Sequence, residues 1–320
     1  MSSAGELVEF PDATVFVREV GSGKPLLLIN GLGAHTGMWR AFEDAMPGCR
    51  LVEFDLPGAG QSPVPAKPVS IEQLARLATA VMDRYGLEQA DVLGYSMGGM
   101  VAQQLAATYP DRVRRLVLAA TTPGVGSVQI QLRALVNIVT PARYSSPRLY
   151  ASTIGSLVGG RARNDPKWVE AQSKLRLEHR PSWRGYMSQM RSMGGWSSLP
   201  LLRKITQPTL VLAGGDDPLA PATNSKIIAH LIENSRLVVL KGEGHLLMVD
   251  ESSAAHAAVH EFLTSPDVES TSVWRDGLDV DAKQVRSALA AEPRQLPPLS
   301  LLDARARRRW LRLDRTTNSA

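Results

Sequence analysis

Asp91-Val92-Leu93-Gly94-Tyr95-Ser96-Met97-Gly98 is the stretch that decides the fold. The short run Asp91-Val92-Leu93 reads as a strand, and Val101 to Tyr109 has helical spacing and stops at Pro110. Between them stands the pattern Gly-X-Ser-X-Gly. A turn that joins strand to helix this abruptly has no room for side chains on either side of the serine. Glycine at 94 and 98 therefore lets the Ser96 hydroxyl stand strained and exposed at the strand end. The expectation is a nucleophilic serine at the C-terminal edge of a sheet.

Outward from this turn, strands alternate with helices. Val15-Phe16-Val17, Leu26-Leu27-Leu28-Ile29, Leu51-Val52-Glu53-Phe54 and Leu116 to Ala120 are apolar or β-branched runs of strand length. Ile71 to Tyr85 has a helical stripe, with Ser70 and Gln73 spaced as a capping box. After residue 200 the alternation resumes: strands at Thr209–Ala213 and Leu237–Leu240, helices at Pro221–Ile232 and Glu251–Leu263. Such alternation predicts a mostly parallel sheet covered by helices on both faces. Residues 123–200 break the rhythm. They offer helical patterns at Gln129–Val139, Pro147–Leu157, Pro166–Leu177 and Pro181–Met193, and no strand. The expected division is a core of 1–122 and 201–265, a helical lid of 123–200 over the strand ends, and an extension of 266–320.

A serine hydroxyl needs a base. His245, in Gly242-Glu243-Gly244-His245, follows the last strand run and so falls on the same sheet edge as Ser96. The base needs an orienting carboxylate. Gly214-Gly215-Asp216-Asp217-Pro218 follows another strand on that edge, and spacing favours Asp217, with Asp216 capping the turn. The chain order Ser96, Asp217, His245 is one of three known orders of such a triad. Two backbone donors should meet the developing oxyanion, each worth about 3–4 kcal/mol. They are the N–H groups of Met97 and of Leu32, the latter in Asn30-Gly31-Leu32-Gly33. His35, Trp183, Met187, Met190 and Trp196 are candidates for contact with an apolar substrate, since methionine adapts to irregular alkyl chains.

Composition narrows the class. The chain has 320 residues, 44% hydrophobic and 21% charged, as in ordinary globular proteins. No apolar run approaches the roughly 20 residues that span a bilayer, and the first residues lack a secretory pattern. One cysteine, Cys49, forms no internal disulfide and suits a reducing compartment. The net charge of +5 is uneven, with eleven Lys/Arg against three Asp/Glu from Thr121 to Pro200. No nucleic-acid motif accompanies that charge, so no nucleic-acid partner is expected. No metal and no cofactor is expected either, for want of ligand spacing or a dinucleotide fingerprint.

These blocks resemble the α/β-hydrolase superfamily over residues 5–265. Asn30 to Gly33, Asp55-Leu56-Pro57-Gly58-Ala59-Gly60-Gln61-Ser62, Gly94 to Gly98 and the Asp217/His245 pair carry the resemblance. The chain departs from it at Asn30-Gly31, where the family commonly has His-Gly. Serine at 96 separates it from relatives with aspartate there, which displace at carbon, and implies acyl transfer. A closer resemblance, from about residue 12 to 265, is to intracellular depolymerases of medium-chain-length polyhydroxyalkanoates. Gly159-Gly160-Arg161-Ala162-Arg163-Asn164-Asp165-Pro166, Gly185-Tyr186, Gly195-Trp196, Lys204 to Gly214 and Gly242 to Leu246 carry it. It implies cytoplasmic cleavage of an aliphatic polyester. Small-ester, lipase or C–C bond hydrolysis at the same site, and a non-catalytic granule-binding protein, are the competing expectations. Oligomeric state is not legible.

In the extension, Leu299, Leu302, Ala306, Trp310 and Leu313 share one helical face, with Arg305, Arg307, Arg308 and Arg312 around it. A basic amphipathic helix suits an anionic interface such as a storage-granule surface.

Overall fold

The computed structural model describes residues 5–292, apart from 129, 131 and 140. Among them, eight strands form one sheet in the order β1-β2-β4-β3-β5-β6-β7-β8. These are β1 (Glu6–Glu9), β2 (Thr14–Gly21), β3 (Lys24–Ile29), β4 (Cys49–Phe54), β5 (Ala90–Tyr95), β6 (Val113–Ala119), β7 (Thr209–Gly214) and β8 (Ser235–Leu240). β1, β2 and β4 pair antiparallel, and every pairing from β4 to β8 is parallel. The sheet is mostly parallel, as expected. β1 is an addition, and its burial explains why its pattern was silent: three of its four residues are exposed.

Strand alternation divides the core in two. Leu27, Ile29, Val52 and Val92 face one side with α2 (Ile71–Arg84), α3 (Met97–Thr108) and α8 (Ala222–Leu231). Leu26, Leu28, Leu51, Leu93 and Leu212 face the other with α1 (Arg40–Asp44) and α9 (Ala254–Thr264). Both sheet faces are thus helix-covered, the α/β-hydrolase architecture. The Ser70–Gln73 capping box at α2 is present in both directions. α3 starts at Met97, earlier than its apolar spacing suggested, because Gly98 and Gly99 are helical despite their low propensity. Thr36–Asp44 supplies the short helical stretch that the alternation places between β3 and β4.

Between β6 and β7 lie α4 (Leu132–Ile138), α5 (Pro147–Val158), α6 (Pro166–Glu178) and α7 (Trp183–Met193). Serine or aspartate caps α5, α6 and α7, with proline in the first turn of α5 and α6. A bridge between Gly124 and Ser197 closes the base of this insert. After α9, α10 (Ser272–Arg275) and α11 (Ala282–Ala291) stay on the body. Leu278 pairs with Leu237 of β8, Trp274 stacks on Phe262 at 6.0 Å, and Val285 is fully buried. The extension therefore begins as part of the hydrolase core. The basic stripe from Leu299 to Leu313 lies outside the described residues.

Candidate active site

Parallel register places the chemistry on one edge. Ile29 pairs with Gly94, Tyr95 with Ala119, Ala119 with Leu212 and Gly214 with Leu240. The loops that follow these strand ends carry Gly31, Ser96, Asp217 and His245.

Ser96 has φ of 56°, the left-handed region that favours glycine. Its surroundings hold it there. Its N–H donates to Ala119 O at 2.9 Å and its carbonyl accepts from Thr121 Oγ1 at 2.7 Å. The flanking glycines are obligatory. A Cβ on Gly98 would lie 2.0 Å from Ile29 O, and one on Gly94 would lie 2.5 Å from Ala102 Cβ. The strained serine is thus clamped between β3 and β6, at a cost of order 1–3 kcal/mol met by packing around it.

His245 Nε2 lies 2.9 Å from Ser96 Oγ, and His245 Nδ1 lies 2.7 Å from Asp217 Oδ2. The other oxygen of Asp217 accepts from the N–H groups of Leu219 and Ala220 at 2.8 and 2.9 Å. Those bonds hold the carboxylate in place beneath the imidazole. Asp216 turns away: it accepts from Gly160 N at 2.8 Å and pairs with Arg163 at 3.2 Å. The structure therefore joins Asp217, and not Asp216, to His245. The Tyr95 hydroxyl donates to His245 O at 2.7 Å, so the residue before the serine also holds the histidine loop. This chain of bonds can carry a proton from Ser96 to His245 while Asp217 fixes the ring tautomer.

Gly31 packs directly on Ser96, where a Cβ would lie 3.1 Å from the Ser96 Cβ. Asn30 stands in for the family's histidine by closing its own loop. Its Oδ1 accepts from Gly31 N at 2.8 Å and its Nδ2 donates to His35 O at 3.0 Å. Leu32 lines the pocket at Ser96, and Met97 begins α3, where the first N–H groups have no intrahelical acceptor. Gln189 of α7 steadies the loop. It accepts from Gly33 N at 2.8 Å and donates to Pro57 O at 3.1 Å. Asp55 explains its own block: it accepts from Thr36 N at 2.6 Å and Gln61 N at 2.8 Å. Burial pushes its carboxyl up to about 6.

The cavity at Ser96 is narrow, about 40 Å³. Ile154, Leu157 and Val158 of α5, with Leu219 and Leu246, form its apolar wall, and Arg143 and Arg176 of the insert also reach it. The substrate-contact residues expected from sequence are placed elsewhere. Trp183 is 58% exposed at the start of α7. The inward face of α7 is instead Gly185, Tyr186 and Gln189, a stripe that the tryptophan and methionines do not share. Met187 and Met190 are half-buried against the core and are not among the pocket-lining residues. Trp196 is buried on the opposite sheet face, donating to Gln104 Oε1 at 2.9 Å. His35 is buried beneath α6, donating from Nε2 to Leu175 O at 3.0 Å. The lining residues that sequence reasoning missed had one available signal. Ile154, Leu157 and Val158 follow i, i+3, i+4 spacing on α5. Arg143 and Arg176 had none, since arginine in a basic segment reads as solvated.

Among the described residues no cluster of His, Cys, Asp and Glu could hold a metal, and no helix is long and apolar enough to cross a membrane.

With this geometry in place, the comparisons agree with the architecture. The alpha/beta hydrolase fold pattern matches residues 24–252, and the chain belongs to that family. It is a hydrolase by kinship. It is similar to the poly(3-hydroxyalkanoate) depolymerase of Ectopseudomonas oleovorans, 37% identical over 241 residues, 75% of this chain and 84% of that one. It is 28% identical over 242 residues to 3-oxoadipate enol-lactonase 2 of Acinetobacter baylyi, 73% of this chain and 86% of that one. Among solved structures, the enol-lactonase of Burkholderia xenovorans aligns with a TM-score of 0.70 at 25% identity, covering 81% of this chain and 100% of that one.

Proposed function

We propose that this hydrolase cleaves aliphatic esters through Ser96, and that its substrate is an intracellular poly(3-hydroxyalkanoate). The observation that carries the reading is the unbroken Asp217–His245–Ser96 relay at the floor of an apolar pocket. Ser96 Oγ attacks the ester carbonyl carbon while His245 Nε2 takes its proton. The N–H groups of Leu32 and Met97 receive the oxyanion. Collapse breaks the C–O bond, and His245 returns the proton to the leaving hydroxyl. A water deprotonated by His245 then releases the acyl group as a 3-hydroxy acid and restores Ser96. The insert acts as the lid of the pocket. The depolymerase relative supports the polyester as substrate, and the apolar α5 wall suits an alkyl side chain.

Clearing of a medium-chain-length polyhydroxyalkanoate suspension, wild type beside Ser96→Ala, tests this reading. Clearing by wild type alone is expected. Hydrolysis of p-nitrophenyl octanoate without clearing would overturn the polyester and leave the serine esterase.

A second reading, a small ester or lactone as substrate, is favoured by the enclosure of the pocket by α5 and α6. Turnover of a monomeric lactone faster than any oligomer would select it. We further propose that residues 293–320 attach the enzyme to the granule. Co-sedimentation with granules should fall on deleting them; unchanged co-sedimentation would end that proposal.

A further inference from the structure

Arg176 lies on α6 with its side chain at the pocket that holds Ser96 and His245. Its guanidinium hydrogen-bonds the Tyr144 hydroxyl, but its buried Nε donates to no acceptor among the described residues, and the buried hydroxyl of its neighbour Tyr150 is likewise without a partner. The acids of the insert are engaged elsewhere. Asp165 pairs with Arg161, Glu170 with Lys174 and Glu178 with Arg40. Asp217 faces His245. The second guanidinium at the pocket, Arg143, is differently used: it donates to Asn137 O and to the hydroxyls of Tyr144 and Tyr186, and lies on both rings at 4.4 and 5.2 Å. Burial pushes the Tyr144 phenol up, yet Arg143 and Arg176 together hold it below its ordinary value. Two guanidiniums thus meet at this pocket, and among the described residues no salt bridge joins Arg176 to a carboxylate. A buried cation without an anionic partner is costly, and a pocket is where a ligand can supply that partner.

We propose that Arg176, with Tyr150, binds a carboxylate of the substrate. On the polyester reading, on which the substrate's identity rests, that group is the free carboxyl end of a 3-hydroxy acid oligomer. The enzyme then works from chain ends, cleaving the ester next to the bound carboxylate and releasing one short acid per turnover. Nothing in the hydrolysis changes: water still adds across the C–O bond, and Arg176 only orients the chain.

The experiment compares substrate pairs differing in that one charge. The first pair is 3-acetoxyoctanoate and its methyl ester, a small ester that carries the carboxylate on the alcohol side of the scissile bond, as the chain end does. The second is the dimer of 3-hydroxyoctanoate as free acid and as methyl ester. In wild type, kcat/KM is expected to favour each free acid by about tenfold to a hundredfold, the range of a charge-assisted hydrogen bond. Arg176→Met should bring the ratio to about one, and Arg176→Lys should keep part of it. Because the readout is a ratio within one protein, a general loss of activity does not imitate the effect. If Arg176→Met fails to fold by circular dichroism, the wild-type ratios decide. Equal rates for acid and ester in wild type overturn the carboxylate site, as does a ratio unchanged in Arg176→Met. Preference in the acetoxyoctanoate pair with neither dimer cleaved keeps the site and overturns the polyester reading alone.

Discussion

Gly160 of the insert and Gly244 beside His245 meet backbone to backbone: a Cβ on Gly160 would lie 2.3 Å from Gly244 N. The contact is reciprocal, since a Cβ on Gly244 would lie 2.2 Å from Val158 O. His245 N donates to the same Val158 carbonyl at 2.6 Å, so the end of α5 is bonded directly to the histidine that faces Ser96.

Gly160→Ala should therefore displace His245 as well as strain the turn, whose φ is +56°. A misplacement of about 1 Å costs about a hundredfold in rate, which assay of p-nitrophenyl octanoate would read. Gly48→Ala is the control, at φ of +77° with open space around it. It should cost about 1 kcal/mol of stability and leave the rate unchanged.

The two adjacent aspartates should separate cleanly. Asp217→Asn loses the charge facing His245 and should lower kcat by about 10⁴, as such changes do in other triads. Among the described residues the Asp216 carboxylate bonds Gly160 N and pairs with Arg163, so Asp216→Asn should cost less than about tenfold, through looser docking of the insert.

Gln189 is a positioning residue for the Gly31–Gly33 loop. Gln189→Leu removes both of its bonds, to Gly33 N and Pro57 O. If Leu32 N–H meets the oxyanion, kcat should fall about tenfold or more with KM little changed. A rise in KM alone would assign Gln189 to substrate binding instead.

His35 gives a pH prediction. Burial beneath α6 lowers its pKa from 6.5 to about 4, against the pull of the Leu175 carbonyl. The unfolded chain takes up a proton at this histidine well before the folded one does. The stability it contributes is complete above pH 6.5 and lost as pH falls towards 4. Glu53, pushed up to about 8 by burial, acts with the opposite sign, so the comparison must be with a variant. The stability difference between wild type and His35→Gln should shrink by about 2 kcal/mol from pH 7 to pH 4.5 in urea unfolding. A constant difference would sink the assignment.

The core was legible because its signals are local. Apolar runs marked β3 to β8, and Gly94-Tyr95-Ser96-Met97-Gly98 marked the turn, since steric exclusion at Gly98 acts within a few residues and one neighbouring strand. Asp216 and Asp217 could be ranked but not separated by spacing. Which of two neighbours in one turn faces His245 depends on the Leu219 and Ala220 amides beneath it. The pocket wall was not legible. Trp183 and Ile154 both lie on helices of the insert, and only the docking of those helices decides that Ile154 turns inward while Trp183 meets solvent. The docking is set by glycine contacts such as Gly58 with Gly185, whose Cβ would lie 2.0 Å from Gly58 O. Absent side chains leave no hydrophobic pattern.

The crossing at Gly160 and Gly244 bears on how far this molecule can be recombined. The segment between β6 and β7 looks exchangeable, a cassette on a constant body. Yet whatever is spliced there must pass the histidine loop with bare backbone and present a carbonyl where Val158 does. A transplant lacking that short passage would bring a new pocket and a disarmed histidine together. Libraries that randomise the insert should hold residues 158–160 constant and vary the helices on either side.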